Sequence, residues 1–194
     1  GSKITTMRYL CLCFFLLCSS MSLRAQHETS IMQAPDDWIS EIIPFPLGFA
    51  LDIPFQGFEE LRFAPSWSDS TSQEFWTYTF VWYLEGEPVT FTEAYLEEVL
   101  ESYYNGLMGA VAGTGEAPEK ALCLVVQDGA TFVGKLRTYD SFFTRHSITL
   151  NFSGAVQFCP ETQRQLLRIQ LSPQPFTHPV WEKLEEVKIL VKCN

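Results

Sequence analysis

Between Phe75 and Leu84 the side chains alternate with a period of two. On an extended chain Trp76, Tyr78, Phe80, Trp82 and Leu84 fall on one face, and Thr77, Thr79, Val81 and Tyr83 on the other. One face is large and aromatic, the other small and β-branched. This predicts a strand inside a sheet with both faces covered. Leu47, Phe49, Leu51 and Ile53 alternate in the same way and predict an earlier strand over 47–53. A second follows over 58–64, with Leu61 and Phe63 on one side and Glu60 and Arg62 on the other.

The period then changes. Thr90-Phe91-Thr92-Glu93 has the spacing of a capping box, in which a hydroxyl and a carboxylate satisfy the first amide groups of a helix. Leu96, Val99, Leu100, Tyr103 and Leu107 recur at three and four residues and predict its buried stripe. Glu93, Glu97, Glu98 and Glu101 fall on or beside its outer face, and Asn105-Gly106 is the expected stop. Beyond it, 121–126 and 131–139 predict a hairpin about Asp128-Gly129. Strands over 146–158 and 165–171 follow, with Gly154 as a possible bulge site. A last helix is expected from Pro179, with Val180, Trp181, Leu184, Val187 and Val191 as its stripe.

Short links between consecutive strands imply antiparallel pairing. The fold class expected is α+β: a mostly antiparallel sheet of about six to seven strands with two amphipathic helices packed on it. The tryptophan-rich strand should be sandwiched between those helices. The expected organisation is a leader over 1–25, a flexible linker over 26–40 and one domain over 41–194.

Composition narrows the partners. Charged residues are 19% of the chain and the formal net charge is -10. Such a chain is repelled by phosphate backbones and anionic lipid surfaces, which argues against nucleic acid as a partner. The leader suggests a compartment. Met7-Arg8 precedes a short apolar run, Leu10 to Cys18, then serines and Leu23-Arg24-Ala25. That order is the pattern of a secretory signal peptide cut after Ala25, and the run is short for a bilayer span. The expected location is therefore periplasmic or extracellular, with no stable membrane span in the mature chain. Cys123, Cys159 and Cys193 remain after the cut. Three cysteines allow at most one disulfide and leave three pairings open, of which Cys159 with Cys193 is the first choice.

Chemistry is sparse. There is no Gly-x-Ser-x-Gly elbow, no His-Glu-x-x-His and no Cys-x-x-Cys. Gly113-Thr114-Gly115 lacks the Gly-Lys-Ser/Thr ending of a phosphate loop. No cofactor and no metal is expected. The pairs Glu59-Glu60 and Glu97-Glu98 cannot converge on one bond, because adjacent side chains point apart in a strand and about 100° apart in a helix. Both pairs are expected to be solvated surface. Aromatic residues, at 14%, are the feature that stands out, because stacked rings with few charges can line an apolar cleft or a partner surface. Trp67, Tyr83, His178 and Trp181 are the candidates for such a surface.

Two stretches, Phe75-Trp76-Thr77-Tyr78 through Glu85-Gly86 and Ser172-Pro173-Gln174-Pro175 through Val180-Trp181, resemble a family of exported bacterial proteins without assigned activity. The order of strands and helices is loosely similar to the Mog1/PsbP-like sandwich, a fold analogy that implies no function. The expectation is an exported, non-enzymatic domain that binds an unknown protein or an apolar small molecule. The alternative is a hydrolase-like enzyme using His178 with a nearby thiol or carboxylate.

Overall fold

The structure is a computed structural model and describes residues 29–194. The leader and its cut site lie outside the described residues. Seven strands form one antiparallel sheet: β2 (Ile39–Pro44), β3 (Gly57–Phe63), β4 (Tyr78–Leu84), β5 (Leu122–Asp128), β6 (Thr131–Tyr139), β7 (Ser147–Cys159) and β8 (Arg164–Ser172). Their spatial order is β2-β3-β4-β8-β7-β6-β5. Two short strands, β1 (Met32–Gln33) and β9 (Lys188–Ile189), pair separately. The helices are α1 (Glu93–Ala112) and α2 (Val180–Leu184). The fold is thus mostly sheet, with few helices.

The aromatic ribbon is interior, flanked by β3 and β8. All seven residues of β4 are buried, as the two covered faces require. The covers are unlike. Tyr78, Phe80, Trp82 and Leu84 join the larger core, which includes Leu96, Leu100 and Tyr103 of α1. Val81 and Tyr83 join a smaller one with Phe58, Leu166, Ile31, Met32 and Val187. The second face is therefore closed by residues 31–38 and 187–193, not by a second amphipathic helix. α2 spans only five residues, and Val187, expected on its stripe, lies beyond it in the smaller core.

Three other expectations are corrected. The 47–53 segment is a series of turns: Ala50 N donates to Leu47 O and Ile53 N to Ala50 O. Its buried residues, Leu47, Ala50 and Ile53, recur every three positions, while Leu51 is 72% exposed. The first strand of the large sheet is β2, which falls within and just beyond the expected linker. The rest of that linker is also placed, since Ile31 and Met32 are buried and β1 pairs with β9. Finally, α1 runs past Asn105-Gly106 to Gly113, whose left-handed φ of 75° suits a helix end. Gly106 is inside the helix because a Cβ there would meet Phe49 O at 2.0 Å. Its glycine serves the approach of the 47–53 loop, not a stop. The cap is Thr92, whose hydroxyl accepts from Tyr95 N.

The acidic residues of α1 cover a sheet edge. Gln127 N, Val125 N and Cys123 N donate to Glu93, Glu97 and Glu101 at 2.7, 2.9 and 2.8 Å, and Ala121 N donates to Asn105 at 2.8 Å. Four-residue steps along the helix thus match two-residue steps along β5. Outward amides that would otherwise offer an edge for another strand are occupied. Glu97 and Glu101, expected on or beside the outer face, are half-buried in this ladder.

Candidate functional site

An apolar cleft of about 570 Å³ opens between the β2–β3–β4 end of the sheet, α1 and three loops. Its lining follows from strand register. Ile39, Glu41 and Ile43 of β2 lie opposite Phe63, Leu61 and Glu59 of β3, so all share the helix-facing side. Tyr103, Leu107 and Val111 come from α1, at helical spacing. Phe49, Trp67, Trp76, Tyr78 and Phe142 complete it. This volume suits a small organic ligand.

The rings are held by the loops around them. Trp67 packs on Phe63 with centroids 4.4 Å apart and meets Phe143 edge-on at 5.1 Å. Trp76 has a positive φ of 54°, rare for so large a residue. Its amide donates to Trp67 O at 2.9 Å, which joins the two indoles through the backbone. The loop carrying Phe142 and Phe143 is ordered by buried Asp140. That carboxylate accepts from the amides of Phe142, Phe143 and Thr144 at 3.0, 3.1 and 2.8 Å, and from the Thr144 hydroxyl at 2.8 Å.

One side chain behind the lining sits Glu59. It is fully buried, beside the cleft residues Ile43, Leu61 and Tyr103. Trp82 Nε1 donates to its Oε1 at 3.1 Å. The Tyr103 hydroxyl is close enough to influence the carboxyl, but Oε2 has no partner in hydrogen-bonding geometry. Burial pushes this carboxyl up to about 8, against the opposing pull of Trp82 and Tyr103 and with a small further push from Glu41. At neutral pH Glu59 is mainly protonated. Around it, Tyr78 and Tyr104 bond hydroxyl to hydroxyl, and burial raises both above the ordinary tyrosine range. Trp76 Nε1 is also buried without a partner.

Glu60 faces the other side, as adjacency on a strand demands. It too is fully buried, but it is satisfied: Arg62 at 2.5 Å, the Ser30 hydroxyl at 2.6 Å and Ile31 N at 2.7 Å surround it. The pair expected on the solvated surface is thus buried on both faces of the sheet. The directions were readable from the sequence. The burial was not, because β3 lies inside the sheet and the N-terminal segment covers its second face.

The four surface candidates separate. Trp67 is half-buried and lines the cleft. Tyr83 is 4% exposed and cannot form a surface: its ring lies 4.9 Å from the Arg164 guanidinium, and its hydroxyl bonds to Thr162. His178 lies just before α2, where it accepts from Val180 N at 3.1 Å, and its other nitrogen meets Gln73 Oε1 at 3.0 Å. Trp181 packs against Phe176 at a tilt of 44° and donates to Gln174 O at 3.2 Å. Among the described residues, neither a thiol nor a carboxylate is a hydrogen-bond partner of His178. Cys159 and Cys193 are joined to each other. Cys123 is a buried thiol pushed up to about 12 by burial and by Glu101 and Glu97, so it is a poor nucleophile. Glu59, Trp76, Tyr103 and Phe142 were not among the surface candidates drawn from the sequence. The sequence signal was the aromatic excess itself, which does not say which rings border a space.

Among the described residues no group of His, Cys, Asp and Glu is arranged to hold a metal, and no helix is long and apolar enough to cross a membrane. Comparisons with protein-family models, with curated proteins and with solved structures find no match to this chain.

Proposed function

We propose that the protein is an exported, non-enzymatic binding domain whose aromatic cleft holds an apolar small molecule or the apolar side chains of a partner. The cleft carries this reading: thirteen residues line it, and Glu41 is their only ionisable carboxylate. Burying apolar surface there would contribute about 25 cal/mol per Å². Export is supported by the leader's composition and by the Cys159–Cys193 bond, since disulfides persist in oxidising compartments. A binding role is favoured over hydrolysis because the groups facing Glu59 include no serine, cysteine or histidine, and His178 is occupied by the Val180 amide and Gln73.

The test is a fluorescence titration with a neutral naphthylamine probe, comparing the protein with Leu107→Glu. Leu107 lies on the half-exposed rim of the cleft, so the substitution places a charge in the site without opening the core. Saturable binding of one probe per chain, weakened at least about tenfold by Leu107→Glu, is the expected result. Equal binding by both proteins would remove the cleft from the account.

A further inference from the structure

We infer that the cleft selects a lipophilic cation, an apolar chain or ring system bearing a protonated amine or a quaternary ammonium group. This rests on the reading of the cleft as a ligand site and names its ligand class. The first observation is the wall. Trp67 lies edge-on to Trp76 at 84° and to Phe142 at 70°, so the rings present faces in different directions instead of one flat stack. Ring faces carry negative potential, and a cation within about 6 Å of an indole face is attracted to it.

The second observation is charge. The cleft lining contains no lysine, arginine or histidine, and its one charged residue is Glu41, exposed at the β2 rim. An anionic amphiphile would find no counter-charge there. It would meet Glu41 on a chain of net charge -10. A neutral ligand would use the apolar wall but neither the carboxylate nor the ring quadrupoles.

The third is the carboxyl one side chain deeper. The groups facing Glu59 are Glu41 of β2, Tyr78 and Trp82 of β4, and Tyr103 and Tyr104 of α1, none of them cationic. Its ionisation near pH 8 leaves a negative charge without a cationic partner. A bound cation would supply one, so cation affinity should rise as pH rises through that value.

The experiment uses three probes with one decyl tail, each below its aggregation threshold and at about physiological salt: decyltrimethylammonium, decanol and decyl sulfate. None changes charge in the range tested. The ammonium probe should bind one per chain, about tenfold or more tighter than decanol, with decyl sulfate weakest. Glu41→Gln, an exposed change, should weaken the ammonium probe alone. Between about pH 6.5 and about pH 9 the ammonium affinity should rise in the native protein and stay flat in Glu59→Gln. If decanol binds as tightly as the ammonium probe, the cation inference falls while the cleft reading stands. If none of the three binds at one per chain, both fall. A pH dependence unchanged by Glu59→Gln would remove that residue from the mechanism.

Discussion

Glu59 and Glu60 are consecutive on one strand, both fully buried, and they could hardly be more different. Glu60 is enclosed by an arginine, a hydroxyl and a backbone amide, all on the face that Ile31 and Met32 help to close. Glu59 has one indole N–H and a bare oxygen, on the face that contains the cleft. A carboxyl buried from water without enough partners takes up a proton, whereas a fully partnered one is fixed in place. Glu60 is therefore structural, tying the N-terminal segment to the sheet. Glu59 is a poised group beside a space large enough for a ligand.

The largest expected effect comes from breaking the satisfied side. Glu60→Ala strips Arg62 and Ile31 N of their partner in a dry environment, which costs about 3–5 kcal/mol. Urea unfolding would measure it, and a loss under about 1 kcal/mol would show that water reaches this site.

The next effect is a pH dependence of the opposite carboxyl. Glu59 is raised in the folded protein, so the folded state holds its proton between about pH 4.5 and about pH 8 while the unfolded chain loses it. Its contribution to stability is full below that window and lost as pH rises through it, by about 3 kcal/mol at pH 7. Glu59→Gln should abolish this component, making the variant relatively more stable at high pH. Parallel stability profiles for the two proteins would contradict the assignment.

Smaller effects probe the cleft and the distant sheet edge. Trp67→Ala removes a wall and should weaken a neutral apolar probe about tenfold, or about 1.4 kcal/mol, in a fluorescence titration. Glu97→Ala leaves the Val125 amide without its acceptor and should cost about 1 kcal/mol. Hydrogen exchange at Val125 should quicken while exchange at β4 follows only the global loss.

Much of this architecture is legible along the chain. The period-two run through Phe80 and Trp82 announces a strand buried on both sides, and the 3.6-residue stripe of α1 announces its partner. What covers the second face is not legible. Ile31 and Met32 sit in a polar stretch too short to show a period, and their burial depends on pairing with residues near the other end of the chain. The same limit hides Glu59. A glutamate on a strand reads as solvated until the strand's neighbours are known. The 47–53 segment misleads for a different reason: in seven residues, periods of two and three both fit Leu47 and Ile53, and only packing against Gly106 decides between them.

The division between a closed face and an open one can be read from the tryptophans. Trp67 and Trp76 line the cleft, whereas Trp38 packs against the second core and Trp181 lies beside Phe176. Indole N–H resonances in a proton–nitrogen correlation spectrum, followed during titration with a neutral apolar probe, report on each ring separately. The account expects Trp67 and Trp76 to shift together and saturate while Trp38 and Trp181 stay in place. Shifts at Trp38 or Trp181 with Trp67 and Trp76 unmoved would contradict it.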